Sequence, residues 1–221
     1  MIARHVVRTT PWVTLIAGCL TGTALLAAAA YAAATQHWAL NQDAVRLAFL
    51  PVIAALAFVP RDPFRPMAQT APTSAWLTSA GQILLTLPVV AVTCLAQLRL
   101  MDYTIARLSR GTTAHAPAIY PLIAQLAGWC ALTLAAAACC DRSRYANLTG
   151  AVAGPVSFVI FALARYAPRI DRLFDAPPGT AHAVTAAWYI VAATATALLV
   201  AALRDRWQRY ARKLRLVSRP R

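Results

Sequence analysis

Six long apolar runs, at about 11–35, 44–59, 77–98, 117–140, 148–167 and 183–203, leave this chain little choice of solvent. A helix needs about 20 apolar residues to cross the ~30 Å hydrocarbon core of a bilayer. The second run is the short one, roughly 16 residues or ~24 Å at 1.5 Å each, and is expected to borrow from its flanks. Only 13% of the 221 residues are charged and 60% are hydrophobic, whereas a soluble domain carries about 25% charged residues. A water-soluble enzyme is thereby excluded. The fold class expected is an all-α integral membrane protein, with a six-helix domain over 1–203 and a basic tail over 204–221.

Pro51, Pro88, Pro121 and Pro155 lie inside these runs and predict kinks or helix starts. Counting Arg and Lys between the runs, with the N-terminus inside, puts 14 on the cytoplasmic side and seven on the other. That bias favours both termini in the cytoplasm, although the tail supplies most of it. Ile16-Ala17-Gly18-Cys19 imitates a lipoprotein cleavage box, but Leu20 to Ala34 stays apolar where a polar tether belongs. The first run is also too long for a signal h-region and is read as an uncleaved helix. Arginine almost wholly replaces lysine, Lys213 being the only one, and alanine is abundant. That composition points to a GC-rich bacterial genome and so to the bacterial cytoplasmic membrane. The net charge of +14 would raise nucleic acid first in a soluble protein. Here it lies between apolar runs and in the tail, where anionic lipid headgroups are the expected partner and nucleic acid is not.

Motifs that carry chemistry are scarce. Cys19, Cys94, Cys130, Cys139 and Cys140 fall within or at the edge of apolar runs, where free thiols pack between helices. His5, His37, His115 and His182 include no pair at ligand spacing, so no metal site is expected. Ser157 follows Gly154-Pro155-Val156, but no interior histidine stands ready as its base, which weakens an intramembrane enzyme. Gly18 with Gly22, and Gly150 with Gly154, are glycines four apart on one helix face, where a second helix can approach closely. No Asp, Glu or Lys sits in mid-helix, and Arg46, Arg99 and Arg165 are read as snorkelling from helix ends. Only Gln82, Gln125 and scattered Ser and Thr offer a polar pathway, less than ion-coupled carriers need. Energy for any transport is expected from a partner, because the chain has no GxxxxGK[ST] loop.

Two segments on the expected cytoplasmic side stand out. In the tail, Trp207, Tyr210, Leu214 and Val217 recur at helical spacing, with Arg206, Arg209, Arg212, Lys213 and Arg215 between them. The expected form is a basic amphipathic helix along the inner headgroups, with protein docking as the alternative. In 60–76, Pro60, Pro63 and Pro66 preclude a continuous helix at the start. A plain connector would be shorter, so this segment reads as a partner-binding surface.

The run LAFLPVIAALAFVPRDPFRPMAQTAPTSAWLTSAGQILLTLP resembles small bacterial permeases of the type-2 ABC exporter class. In those permeases a second helix ends in Asp-Pro, a Thr-Pro element follows, and a third helix ends in Leu-Pro. The matching positions here are Asp62-Pro63 and Leu87-Pro88, while Ala71 separates Thr70 from Pro72. The last helix ends Leu203-Arg204-Asp205 as in that class, with Arg206 where the class often has Pro. The resemblance covers about 40 central residues and the last helix. It implies a permease subunit, paired with itself or a second permease and with a separate ATPase subunit that holds ATP and Mg. The coupling segment would be the one between helices two and three, with Arg61, Asp62, Pro63, Phe64, Arg65, Thr70 and Pro72 as its candidate residues. It also offers the external segment 165–182, with Leu173-Phe174, as a re-entrant element. The rival reading is a non-transporting membrane scaffold, sensor or immunity protein.

Overall fold

The computed structural model describes residues 2–35, 42–59, 75–108, 119–140, 154–156, 159–160, 163 and 181–217. Six helices are delimited there: α1 (Ile2–Thr9), α2 (Trp12–Thr35), α3 (Gln42–Leu56), α4 (Ala75–Leu108), α5 (Ile119–Cys140) and α6 (Ala181–Val217). Residues 154–156, 159, 160 and 163 are helical as well, and no strand occurs among the described residues.

The α1–α2 break follows from Pro11, which has no N–H to give and disfavours helical backbone at Thr10. The Thr10 hydroxyl donates to the Val6 carbonyl at 2.7 Å, and the Trp12 indole N–H donates to the Val7 carbonyl at 2.7 Å. The Val6 carbonyl also accepts from the Thr10 backbone N–H at 3.1 Å, so these side chains cap the last turn of α1. The helix itself is an addition to the sequence reading, in which Arg4 and Arg8 merely flanked the first span. Val6 is buried and packs on α4 at Gly81, while Arg8 is exposed.

Among the described residues four helices are long and apolar enough to cross a membrane: Trp12–Ala33, Leu77–Tyr103, Tyr120–Cys140 and His182–Arg204. Their outer faces carry Val13, Leu20, Leu84, Val92, Ile190 and Leu198, all large, apolar and exposed. In water that much apolar surface drives aggregation; in lipid it is already solvated. This is a helical, multi-pass membrane protein.

The contacts also set helix directions. Gly18 of α2 faces Pro51 and Ala55 of α3, and Gly22 faces Ala48 and Val52, so these two helices are antiparallel. Thr9 meets Gln82, and Cys19 and Thr23 meet Gln97, so α2 and α4 run the same way. Arg46 meets Gln125, and Ala57 packs with Ala137, which makes α3 and α5 parallel. The short α3, about 22 Å long for its 15 residues, contacts α2, α4 and α5. Val45, Val52, Leu56 and Val59 of this stretch are completely buried. The core of the molecule is built around α3.

The most extensive helix pairing joins α5 and α6. Trp129 and Trp188 meet there, ring centroids 5.7 Å apart and tilted by 41°. Gly128 makes room for the second indole: a Cβ at that position would lie 2.6 Å from Trp188 Cε3. We expect Gly128→Ala to destabilise the bundle by about 1–3 kcal/mol, the usual cost of overpacking. The check is thermal unfolding in detergent together with the tryptophan emission maximum. An unchanged Tm and spectrum would mean the indole swings aside freely.

Helix ends differ from the ends of the apolar runs. α4 continues to Leu108 past the charged Arg99, and α6 continues from the last run through the tail to Val217. At 37 residues α6 is about 55 Å long. Between Ala181 and Val217 there is neither Pro nor Gly, the usual causes of a sharp kink.

Candidate functional site

Arg46 lies one turn into α3 and is 6% exposed. Its Nη1 donates to Asp43 Oδ1 at 2.8 Å, and its Nε donates to Gln125 Oε1 across the α3–α5 contact at 2.9 Å. Asp43 stands in the first turn of α3, where the helix dipole favours a carboxylate, and three residues before Arg46, which places both on one face. A lone guanidinium in a membrane interior would be costly to desolvate, and the carboxylate and amide offset that cost. The sequence reading of Arg46 as a snorkelling end residue is therefore corrected. α3 is enclosed by its neighbours, and the side chain turns inward to Gln125 instead of out to the headgroups.

Beside this network lies a narrow hollow of about 20 Å³, room for a water or two, walled by Arg46, Phe49, Leu50, Ile53, Leu122, Gln125, Leu126 and Trp129. Next to it lies an apolar cleft of about 380 Å³. Leu47, Pro51 and Ala54 of α3 line this cleft with Leu25 of α2 and Gly154, and Leu50 and Ile53 belong to both hollows. Among the described residues no group of three His, Cys, Asp or Glu is placed to hold a metal ion.

A second polar zone runs along α4, where Thr78, Ser79, Gln82, Thr86 and Gln97 are buried. Gln82 Nε2 donates to Thr9 Oγ1 at 2.9 Å, and Gln97 Nε2 donates to Thr23 Oγ1 at 2.8 Å. Gln82 Oε1, Gln97 Oε1 and Asp102 Oδ1 are buried without a hydrogen-bond partner among the described residues. Each unsatisfied acceptor costs about 1–3 kcal/mol. The zone ties α4 to the end of α1 through Thr9 and to the middle of α2 through Thr23.

The residues singled out from sequence fare unequally. Gly18 and Gly22 sit in the α2–α3 contact, and Gly154 lies against Ala54, while Gly150 is outside the described residues. Arg61, Asp62, Pro63, Phe64, Arg65, Thr70 and Pro72 also lie outside the described residues, as does the segment 165–180. Arg206, Trp207, Arg209, Tyr210, Arg212, Lys213 and Arg215 belong to the helical backbone of α6. His5 is on α1, His182 begins α6, and His37 and His115 are outside the described residues. Cys19, Cys94, Cys130 and Cys139 are free thiols. The Arg46–Gln125 pairing went unread because its signal is an arginine and a glutamine 79 positions apart, which only a known helix packing brings together.

Comparison with family models, with curated proteins and with solved structures gives no match for this chain.

Proposed function

We propose that this chain is the membrane-spanning permease subunit of an ATP-driven, ABC-type exporter in the bacterial cytoplasmic membrane. It would cross six times with both termini inside and work with a second permease copy or homologue. A separate ATPase subunit would hold ATP and Mg. The observation that carries the reading is the buried Arg46–Asp43–Gln125 network beside a narrow hollow between helices. Ionisable groups kept inside a membrane bundle are rare and commonly mark substrate or ion pathways.

Helix direction supports the first four of these crossings: α2 and α4 run the same way and α3 opposes α2, so in this reading α3 is the segment that returns across the bilayer between them. Its 15 residues fall short of a ~30 Å core, which is tolerable for a helix shielded by its neighbours. Removing Arg46 from the exterior count lowers the outer total from seven to six against 14, which sharpens the orientation. In this reading 60–76 transmits ATP binding in the partner to the bundle, through Arg61, Asp62, Phe64 and Arg65.

The test is affinity purification of the tagged protein, gently solubilised from its native membrane, with mass spectrometry of the chains that accompany it. A stoichiometric ATP-binding subunit is expected, lost from Asp62→Ala and Phe64→Ala variants that still insert. Its reproducible absence around intact, monodisperse protein would move the assignment to a scaffold, sensor or immunity role.

A further inference from the structure

We infer that the apolar cleft between α2, α3 and Gly154 is a lateral site for one unbranched hydrocarbon chain, taken in from the bilayer. The chain would lie along α3 from Leu47 to Ala54, and nothing in the site reads a head group. Binding is independent of the permease reading; only the chain's status as cargo depends on it.

The gap comes from small side chains. Gly18 and Gly22 seat α2 directly on the face of α3 that carries residues 48, 51, 52 and 55. On the adjoining face Ala54 meets Gly154, and even a Cβ added to that glycine would lie 3.5 Å from Ala54 Cβ. With nothing larger than a methyl group on either side there, a cleft of about 380 Å³ stays open. From Leu47 to Ala54 it follows α3 for about 10 Å. Leu25 and Leu47 line it and are 48% and 44% exposed, so they form its rim. Leu25 lies inside the span Trp12–Ala33, which puts that rim at the depth of hydrocarbon.

Lining and surroundings select the occupant. Every residue that lines the cleft is apolar, and an apolar cavity stays dry because a water needs two to four polar partners. What reaches this depth instead is lipid chain. An apolar cavity of about 150 Å³ admits benzene, so about 380 Å³ holds one chain of roughly 15 carbons. The second chain and the head of a phospholipid would stay outside. Moving from lipid into the cleft brings no hydrophobic gain. The gain is dispersion: walls on several sides contact the chain, and an unfilled cleft would leave those wall atoms without partners. Methyl branches prevent that close fit, and a polar end adds nothing because no polar side chain lines the cleft.

The experiment places the full chain in bilayers of diphytanoyl phosphatidylcholine, whose chains are branched, and adds 1-bromododecane, whose bromine quenches tryptophan. Leu25→Trp sets a reporter at the rim. Leu84→Trp sets one on the outer face, where Leu84 is 71% exposed, and the wild-type signal is subtracted from both. Quenching of Leu25→Trp is expected to saturate at low mole fraction, with about tenfold preference for the probe over the surrounding lipid. Quenching of Leu84→Trp should rise in proportion to the probe. Dodecane and dodecanol should displace the probe equally well, and the branched alkane pristane at least about tenfold less well. Ala54→Phe, added to Leu25→Trp, should abolish the saturable part by filling the cleft. Gly154→Leu fills it from the other wall and decides the matter if Ala54→Phe does not fold. Proportional quenching at both reporters would mean ordinary lipid contact or a cleft covered by the chain's own residues, and it overturns the inference. So does equal displacement by pristane, or saturable quenching that survives in a folded cleft-filling variant. No ATPase enters the assay, so its outcome stands apart from the purification test: binding without a co-purifying ATPase subunit leaves the site in place while the permease reading falls.

Discussion

Gly22→Val is expected to abolish the folded bundle. A Cβ on Gly22 would stand 2.6 Å from the Ala48 carbonyl oxygen and 3.1 Å from Val52 Cγ2, before the rest of the valine is placed. One turn earlier, a Cβ on Gly18 would meet the Pro51 carbonyl oxygen and Ala55 Cβ, each at 2.7 Å. At each glycine one of the nearest obstructing atoms is a backbone carbonyl oxygen of α3, which no side-chain rotation can move, and α4 and α5 also touch α3. Overpacking by single methylenes costs about 1–3 kcal/mol, and for valine at this backbone contact we expect about 3 kcal/mol or more. Gly154→Ala is the matched control, since its Cβ would lie 3.5 Å from Ala54 Cβ, an ordinary contact. It should stay within about 0.5 kcal/mol of wild type. Monodisperse yield and Tm in detergent measure both. A Gly22→Val protein with wild-type Tm would show that close approach of α2 and α3 does not hold the core.

Arg46→Met is expected to cost about 2–4 kcal/mol. Breaking a buried ion pair from one side costs about 3–5 kcal/mol, and the lower figure applies because Asp43 is 24% exposed and recovers some hydration. Gln125 Oε1 also loses the Arg46 donor. Arg46→Lys should rescue little, because an ammonium cannot direct Nε and Nη1 to two partners from one plane. Adding Asp43→Asn to Arg46→Met should recover part of the loss by removing the stranded charge. The readout is denaturant unfolding followed by tryptophan emission, Trp129 being in the wall of the hollow. Equal stability of the Met, Lys and wild-type proteins would mean that the network is not part of what holds α3 to α5.

The helices were legible because apolarity and helicity have one cause in a bilayer: with no water to bond the backbone, an apolar run closes its own hydrogen bonds. The starts and ends of α2, α3 and α5 lie within a few residues of their runs. α4 and α6 do not end with theirs, because apolarity reports where lipid stops, not where the helix stops. α1 escaped notice since it is only eight residues long, and its contacts with α4, Val6 on Gly81 and Thr9 on Gln82, are announced by no run of apolar residues.

For the site the balance was different. Gln82 and Gln125 stood out as rare polar residues in apolar runs, yet nothing local says which helix each one faces. Arg46 was misread for the same reason. One turn into a helix, an arginine reaches headgroups if its face looks outward and is buried if it looks inward, and both cases have the same sequence.

By itself, then, the sequence determined the solvent, the helical class and the direction of the charge bias, all of which depend on composition and on distances along the chain. Tertiary structure decided that α3, formed by the shortest of the apolar runs, is the most enclosed and that Arg46 turns toward Gln125. It also decided that Gly18 and Gly22 seat α2 on α3. Those outcomes depend on which faces meet, a property of pairs of helices that no single run encodes.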